Sequence, residues 1–128
     1  MKFTEQFNRF ACFGDSISVE IDGTTFTAHL EADTDSRPHD DDCFSKDEIK
    51  RWLDDEWYYV GVVVSAERNG WTRDHIESLW GIPISLGDDD RPHLMECANT
   101  CLAEAIRHLG HIEHLAPTKP STLQEIPQ

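Results

Sequence analysis

Positive charge is scarce in this chain of 128 residues: eleven Lys and Arg stand against 25 Asp and Glu, for a formal net charge of −14. Such a surface opposes a phosphate backbone, and the basic residues are scattered rather than gathered in a stripe, so no direct nucleic-acid binding is expected. Long apolar runs are missing too. No segment nears the roughly 18 apolar residues of a membrane span, and Met1 to Gln6 (MKFTEQ) lacks the apolar stretch of a secretory signal. The expectation is a protein of the cytoplasm that does not engage a membrane. Reaction motifs are absent as well, with no G-x-G-x-x-G, Walker, G-x-S-x-G or H-E-x-x-H pattern. A protein that is not an enzyme and holds no cofactor is expected.

What the chain does have is enough for one folded domain. Its length suffices to bury a core without metal or disulfide help. Four Trp, two Tyr and six Phe are more large aromatics than a disordered chain carries. Cys12, Cys43, Cys97 and Cys101 allow three pairings, but without a secretory signal they read as reduced thiols.

The hydrophobic pattern gives an order of elements. Phe3, Phe7 and Phe10 at i, i+4 and i+7 predict a short N-terminal helix on the core. Alternation over Ser16 to Ile21, a turn at Asp22-Gly23, and alternation through Phe26, Ala28, Leu30 and Ala32 predict a β-hairpin. Asp33 to Cys43 reads as a solvated loop. Ser45 and Glu48 form a capping box for a helix to about Asp54, with Ile49, Trp52 and Leu53 as its buried stripe. Trp57 to Ala66 (WYYVGVVVSA) is β-prone and apolar on both faces, as a central strand must be. Asn69-Gly70 joins it to a strand over Thr72 to Ile84, in which Ile76, Trp80, Ile82 and Ile84 occupy even positions and Pro83 marks an edge. Pro92 opens a second helix bearing Leu94, Ala98, Cys101, Leu102, Ala105 and Leu109, with Gly110 as its C-cap. Residues 1–116 are thus expected to form one α+β domain: a four-stranded antiparallel sheet in the order ββαββα, with its helices on one face. Residues 117–128 read as a flexible tail.

Candidates for chemistry are few. Cys97, Cys101, His108 and His111, with His114 beyond, carry zinc-ligand side chains at helical spacing. On one continuous helix Cys97 and His111 would be about 21 Å apart, too far for a single site with ligand bonds of roughly 2 Å. No four-ligand site is therefore expected there, and the alternative of a small metal-binding protein would need His108, His111 or His114 with a distant carboxylate. Cys97 and Cys101 also lack a neighbouring base that would make either a nucleophile. Asp40-Asp41-Asp42 and Asp88-Asp89-Asp90 lack the alternating ligands and glycine of an EF-hand loop.

The remaining signal is where the negative charge sits. Residues 31–56 hold eleven Asp or Glu against four Lys or Arg, a net −7. Acidic groups along a strand, a loop and a helix can imitate a row of phosphates and occupy the basic groove of a nucleic-acid-binding protein. On this reading Glu31, Asp33, Asp35, Asp40, Asp41, Asp42, Asp54, Asp55 and Glu56 contact the partner. Trp71 and Tyr58 would add aromatic anchors if exposed. The competing expectation is self-association as a homodimer, through the edge near Pro83 or the open face of the sheet.

Glu56-Trp57-Tyr58-Tyr59-Val60-Gly61-Val62-Val63-Val64, then Ser78-Leu79-Trp80-Gly81-Ile82, then Glu96-Cys97-Ala98-Asn99 resemble small acidic proteins of bacteriophages and integrated elements. The likeness spans about residues 40–109 and lies in core strands rather than in a site. It implies genomic company that includes anti-CRISPR and anti-restriction inhibitors of host defence. The partner implied is a host nucleic-acid-binding complex, a CRISPR effector or a restriction system, in the bacterial cytoplasm.

Overall fold

Two dipeptides that tolerate positive φ set the topology. Asp22 (φ 52°) and Gly23 (φ 84°) close one hairpin, and Asn69 (φ 53°) and Gly70 (φ 80°) close the other. Two consecutive positive φ angles define the type I′ turn, whose twist matches that of the strands it joins. The strands are β1 (Ser16–Ile21), β2 (Thr24–Ala32), β3 (Tyr58–Arg68) and β4 (Trp71–Ile84). Helix α1 (Lys46–Leu53) lies between the hairpins and α2 (Arg91–Leu115) follows them. The strands form one antiparallel sheet in the order β1-β2-β3-β4, which with the two helices makes an α+β protein. This computed structural model describes residues 1–8, 11–40, 42–85 and 89–115, with side chains as far as residue 110. The expected tail, residues 117–128, lies outside the described residues.

The main core lies between the sheet and α2. Val60, Val62, Val64 and Ala66 of β3 join Phe26, Ala28 and Leu30 of β2 and Ile17 of β1 in one buried cluster. From α2 the same cluster takes Leu94, Ala98, Cys101, Leu102, Ala105 and Leu109, the stripe that helical periodicity predicts. Ala32, expected inside, is exposed at the end of β2. Gly110 is not left-handed, and α2 runs past it to Leu115 rather than capping there.

Residues 1–8 are not helical, and Phe10 lies outside the described residues. Phe3 and Phe7 are nevertheless buried in the core. Side-chain hydrogen bonds hold the backbone instead. The Phe3 amide donates to Asn99 Oδ1 of α2 at 2.9 Å, and the Ser18 amide of β1 donates to Glu5 Oε1 at 2.7 Å. So short a helix is marginal by itself, whereas an extended strap seats the same phenylalanines without paying for nucleation.

The two helices also fail to share a face. Tyr59 of β3 alternates with the α2-facing valines, and it is Tyr59 that meets Trp52 of α1, with ring centroids 6.5 Å apart. Here α1 builds a second, aromatic core. Trp57 is fully buried, stacks on Phe44 at 5.1 Å and meets Tyr59 edge-on at 5.3 Å, while His39 abuts Trp52 at 5.9 Å. The Trp57 indole N–H donates to the Glu48 carbonyl at 2.8 Å, which satisfies its buried donor. The capping box forms as expected, between Ser45 and Glu48. Ile49 and Trp52 are only half-buried, and Leu53 is 62% exposed.

In β4 the even positions do not stay on one side. The β3–β4 register shifts between Val60 and Val62 and again between Val64 and Ala66. Ile82 pairs with Val60 and Ile84 with Tyr58, both towards α2. Trp80, across the first shift, turns to the opposite face and is 43% exposed. A bulge adds one residue to one strand, and one residue is enough to invert the alternation beyond it.

Candidate functional site

An antiparallel meander sends its two hairpin turns to one end and all other connections to the opposite end. The register places the start of β1, the end of β2, the start of β3 and the end of β4 together: Ser16 pairs with His29, Ala32 with Val60, and Ile84 with Tyr58. The sequence-predicted acids occupy the segments that leave from this end. Asp15 before β1, and Asp89 and Asp90 after β4, share the same end although their charge is remote in sequence. What joins these groups is topology, and composition alone did not reveal it.

The predicted residues differ in how free they are. Asp35, Asp40, Asp42, Asp54, Asp55 and Glu56 are exposed, whereas Asp41 lies outside the described residues. Glu31 is exposed and its Oε2 lies 2.6 Å from His29 Nε2. Asp33 is a structural hub rather than a free contact. Its Oδ1 accepts from the amides of Asp35 (3.0 Å) and Ser36 (3.2 Å). Its Oδ2 accepts from the Ser36 hydroxyl (2.7 Å) and, across the sheet, from the Gly81 amide (2.8 Å). Burial alone would raise its pKa, but the Ser36 hydroxyl and the three amides together outweigh that and hold Asp33 below its ordinary value. The hub fastens the acidic loop to β4, and the Asp33 amide adds a bond to the Tyr59 carbonyl at 3.1 Å. This loop is therefore built, with a 3-10 turn at Pro38–Asp40 whose Pro38 is buried, instead of merely solvated.

The end of α1 carries acid where a helix tolerates it poorly. The Glu56 amide donates to the Arg51 carbonyl (2.8 Å) and the Asp55 amide to the Trp52 carbonyl (3.0 Å), the bond pair of a Schellman cap. Its left-handed position is filled by Asp55 at φ 61°, where glycine is usual. Asp54, Asp55 and Glu56 thus gather three carboxylates at the negative end of the helix dipole. Lys50 and Arg51 in the last turn offset this in part, with Lys50 Nζ 3.1 Å from Asp54 in an exposed pair.

The aromatic candidates divide. Tyr58 is half-buried, with its ring edge-on to Phe13 at 4.9 Å and its hydroxyl 3.4 Å from the Ala11 carbonyl. Trp71 is 42% exposed, but it stands at the hairpin end of β4, far along the strand from the acidic end, and Arg73 already lies over its ring at 6.0 Å. Trp80, which strand alternation assigned to the core, is the exposed indole next to the acidic loop. A Cβ on Gly61 would fall 2.1 Å from Trp80 Cε3, so the indole lies directly on that glycine. The signal for it was present in the sequence, since an isolated glycine inside a valine run marks a close approach.

One cysteine does have a base beside it, against expectation: Cys97 Sγ lies 3.8 Å from His93 Nε2, one helical turn earlier, although burial and the Glu96 charge push the thiol up rather than towards a thiolate. Cys97 and Cys101 are buried against the sheet; burial pushes the Cys101 thiol up to about 11, with the Glu77 charge adding to it. His108 faces Glu77 at 3.8 Å, and the side chains of His111 and His114 lie outside those described. Among the described residues no three His, Cys, Asp or Glu side chains are arranged to hold a metal ion. Nor is any described helix long and apolar enough to cross a membrane. Comparison with protein-family models, with curated proteins and with solved structures finds no match to this chain.

Proposed function

We propose that this chain is an inhibitor protein of a phage or mobile element. In this reading it works in the bacterial cytoplasm and binds a host nucleic-acid-handling defence complex, of anti-CRISPR or anti-restriction type, through its acidic sheet end. The observation that carries the reading is the acidic C-cap of α1. Carboxylates at a helix C-terminus, one of them in the left-handed site that glycine fills more cheaply, work against the fold. Local rules broken with only a partial, solvent-exposed offset from Lys50 are the expected mark of a surface kept for binding. The acids that flank this cap supply a negative field able to attract a basic groove and exclude its nucleic acid.

The test is the association rate with a purified CRISPR effector or restriction complex, measured at low and high salt. Reversing Asp40, Asp41 and Asp42 to Lys is expected to slow association more than it speeds dissociation, and high salt is expected to do the same. Affinities that respond to neither change would overturn the acidic-surface mechanism.

Self-association is the second reading, favoured by exposed Trp71, Leu79 and Trp80 along the edge strand β4. Pro83, two register shifts and the charges of Arg73 and Asp74 oppose strand pairing there. A dimer in light scattering that forms no salt-sensitive complex would favour it.

A further inference from the structure

We infer that Trp80 and Glu31 form a cradle for an arginine side chain of the protein's partner. The inference deepens the acidic-surface reading and rests on it. Three neighbouring strands supply the parts. Glu31 of β2 pairs directly with Gly61 of β3, so their side-chain directions share one face of the sheet. A side chain on Gly61 would run into the Trp80 indole of β4, so the ring occupies that same face beside Glu31. Gly61 is buried beneath it, while Trp80 itself is 43% exposed. The Gly61 Cβ position lies 2.1 Å from Trp80 Cε3 and 2.5 and 2.6 Å from the two ring atoms beside it, so the indole presents its face to Gly61, and its Nε1–H donates to Ser78 Oγ at 2.9 Å.

An indole held face-on to a glycine, partly exposed and with a carboxylate beside it, suits a guanidinium. The planar cation stacks on the ring while its N–H groups reach the carboxylate. Glu31 bonds His29 through Oε2, which leaves Oε1 for a second donor, and its side chain is 47% exposed. The fold already shows this kind of contact elsewhere, with Arg73 over the Trp71 ring at 6.0 Å. Charge complementarity selects the occupant. The Asp33 hub holds the acidic loop at Gly81, the residue after Trp80, so a partner drawn by that field arrives over this ring. Lysine, a compact and strongly hydrated charge, uses the field equally well but gains less from the ring.

Hexa-arginine and hexa-lysine peptides separate the field from the cradle. Binding of each is measured by calorimetry to the full chain, to Trp80→Leu, which keeps an apolar cover on Gly61, and to Glu31→Gln. Hexa-arginine affinity is expected to fall about 3- to 10-fold in Trp80→Leu while hexa-lysine affinity stays within about 2-fold, consistent with the strength of a partly desolvated cation–π contact. Glu31→Gln is expected to weaken hexa-arginine more than hexa-lysine. Equal losses for both peptides, or none for either, would overturn the cradle and leave the acidic-surface reading standing. Failure of both peptides to bind the unmodified chain in a salt-sensitive way would overturn the two together.

Discussion

Asp33 gives the sharpest check on how the acidic end is held. Replacing it by Ala removes the acceptor for four hydrogen bonds at 2.7 to 3.2 Å. Bonds to a charged acceptor are worth about 1.5–3 kcal/mol each when fully buried. Asp33 is only half-buried, so water can replace part of each bond. Taking ~1 kcal/mol for each of the two shortest bonds and a few tenths for the others gives a loss of about 2.5 kcal/mol. For a domain of this size that lowers Tm by roughly 10 °C. Asp33→Asn keeps one carbonyl oxygen but turns an amide N–H towards the Gly81 N–H, so a loss of about 2 kcal/mol is expected. Asp35→Asn, an exposed neighbour, is expected to stay within ~0.5 kcal/mol.

The pH dependence has a definite sign. Because the folded-state pKa of Asp33 lies below its ordinary value, its contribution is complete above the unfolded value of about 3.9 and fades as pH falls through the folded one. The Tm gap between wild type and Asp33→Asn should therefore be widest near neutrality and narrow below about pH 4. Scanning calorimetry from pH 7 to pH 3 measures it. A gap under about 2 °C at neutral pH, or one that widens on acidification, would refute the hub and its energetics.

Two further outcomes follow from the backbone. Asp55→Gly relieves a left-handed non-glycine and removes a carboxylate from the helix C-terminus, so it should stabilise the fold by about 1 kcal/mol in denaturant titration. The same substitution should slow association with a basic partner, and a variant that loses stability would show that Asp55 is not strained. Gly61→Ala drives a methyl into the indole of Trp80, which must swing into solvent. A loss of about 2 kcal/mol with a red shift in tryptophan emission is expected, and an unchanged spectrum would mean that the ring does not lie on Gly61.

Local signals made much of this fold legible. The turns at Asp22-Gly23 and Asn69-Gly70, the Ser45–Glu48 capping box and the α2 stripe each depend on residues a few positions apart, so the sequence displays them directly. The bulges of β4 do not show in this way, because an extra residue leaves composition unchanged while it inverts every side chain beyond it. Hence Trp80 reads as core in the sequence and stands outside in the structure. The phenylalanines of the N-terminus suit either a helix or a strap, and Asn99, 96 residues beyond Phe3, decides between them. The acidic surface was visible as a run over residues 31–56. The joining of Asp15, Asp89 and Asp90 to it depends on register, and the difference between a pinned Asp33 and a free Asp35 depends on hydrogen bonds that no pattern announces.

The meander also has a consequence for the order in which the chain folds. Each hairpin closes over a two-residue turn and can form within microseconds, independently of the other. Bringing β2 to β3 requires closure of the long connection between them, which costs chain entropy before any Val–Val pair rewards it. That connection is the acidic segment, and its self-repulsion opposes the same closure. The charge that serves the surface of the finished protein is therefore a brake on its assembly, and dissolved salt, which weakens the surface, releases the brake.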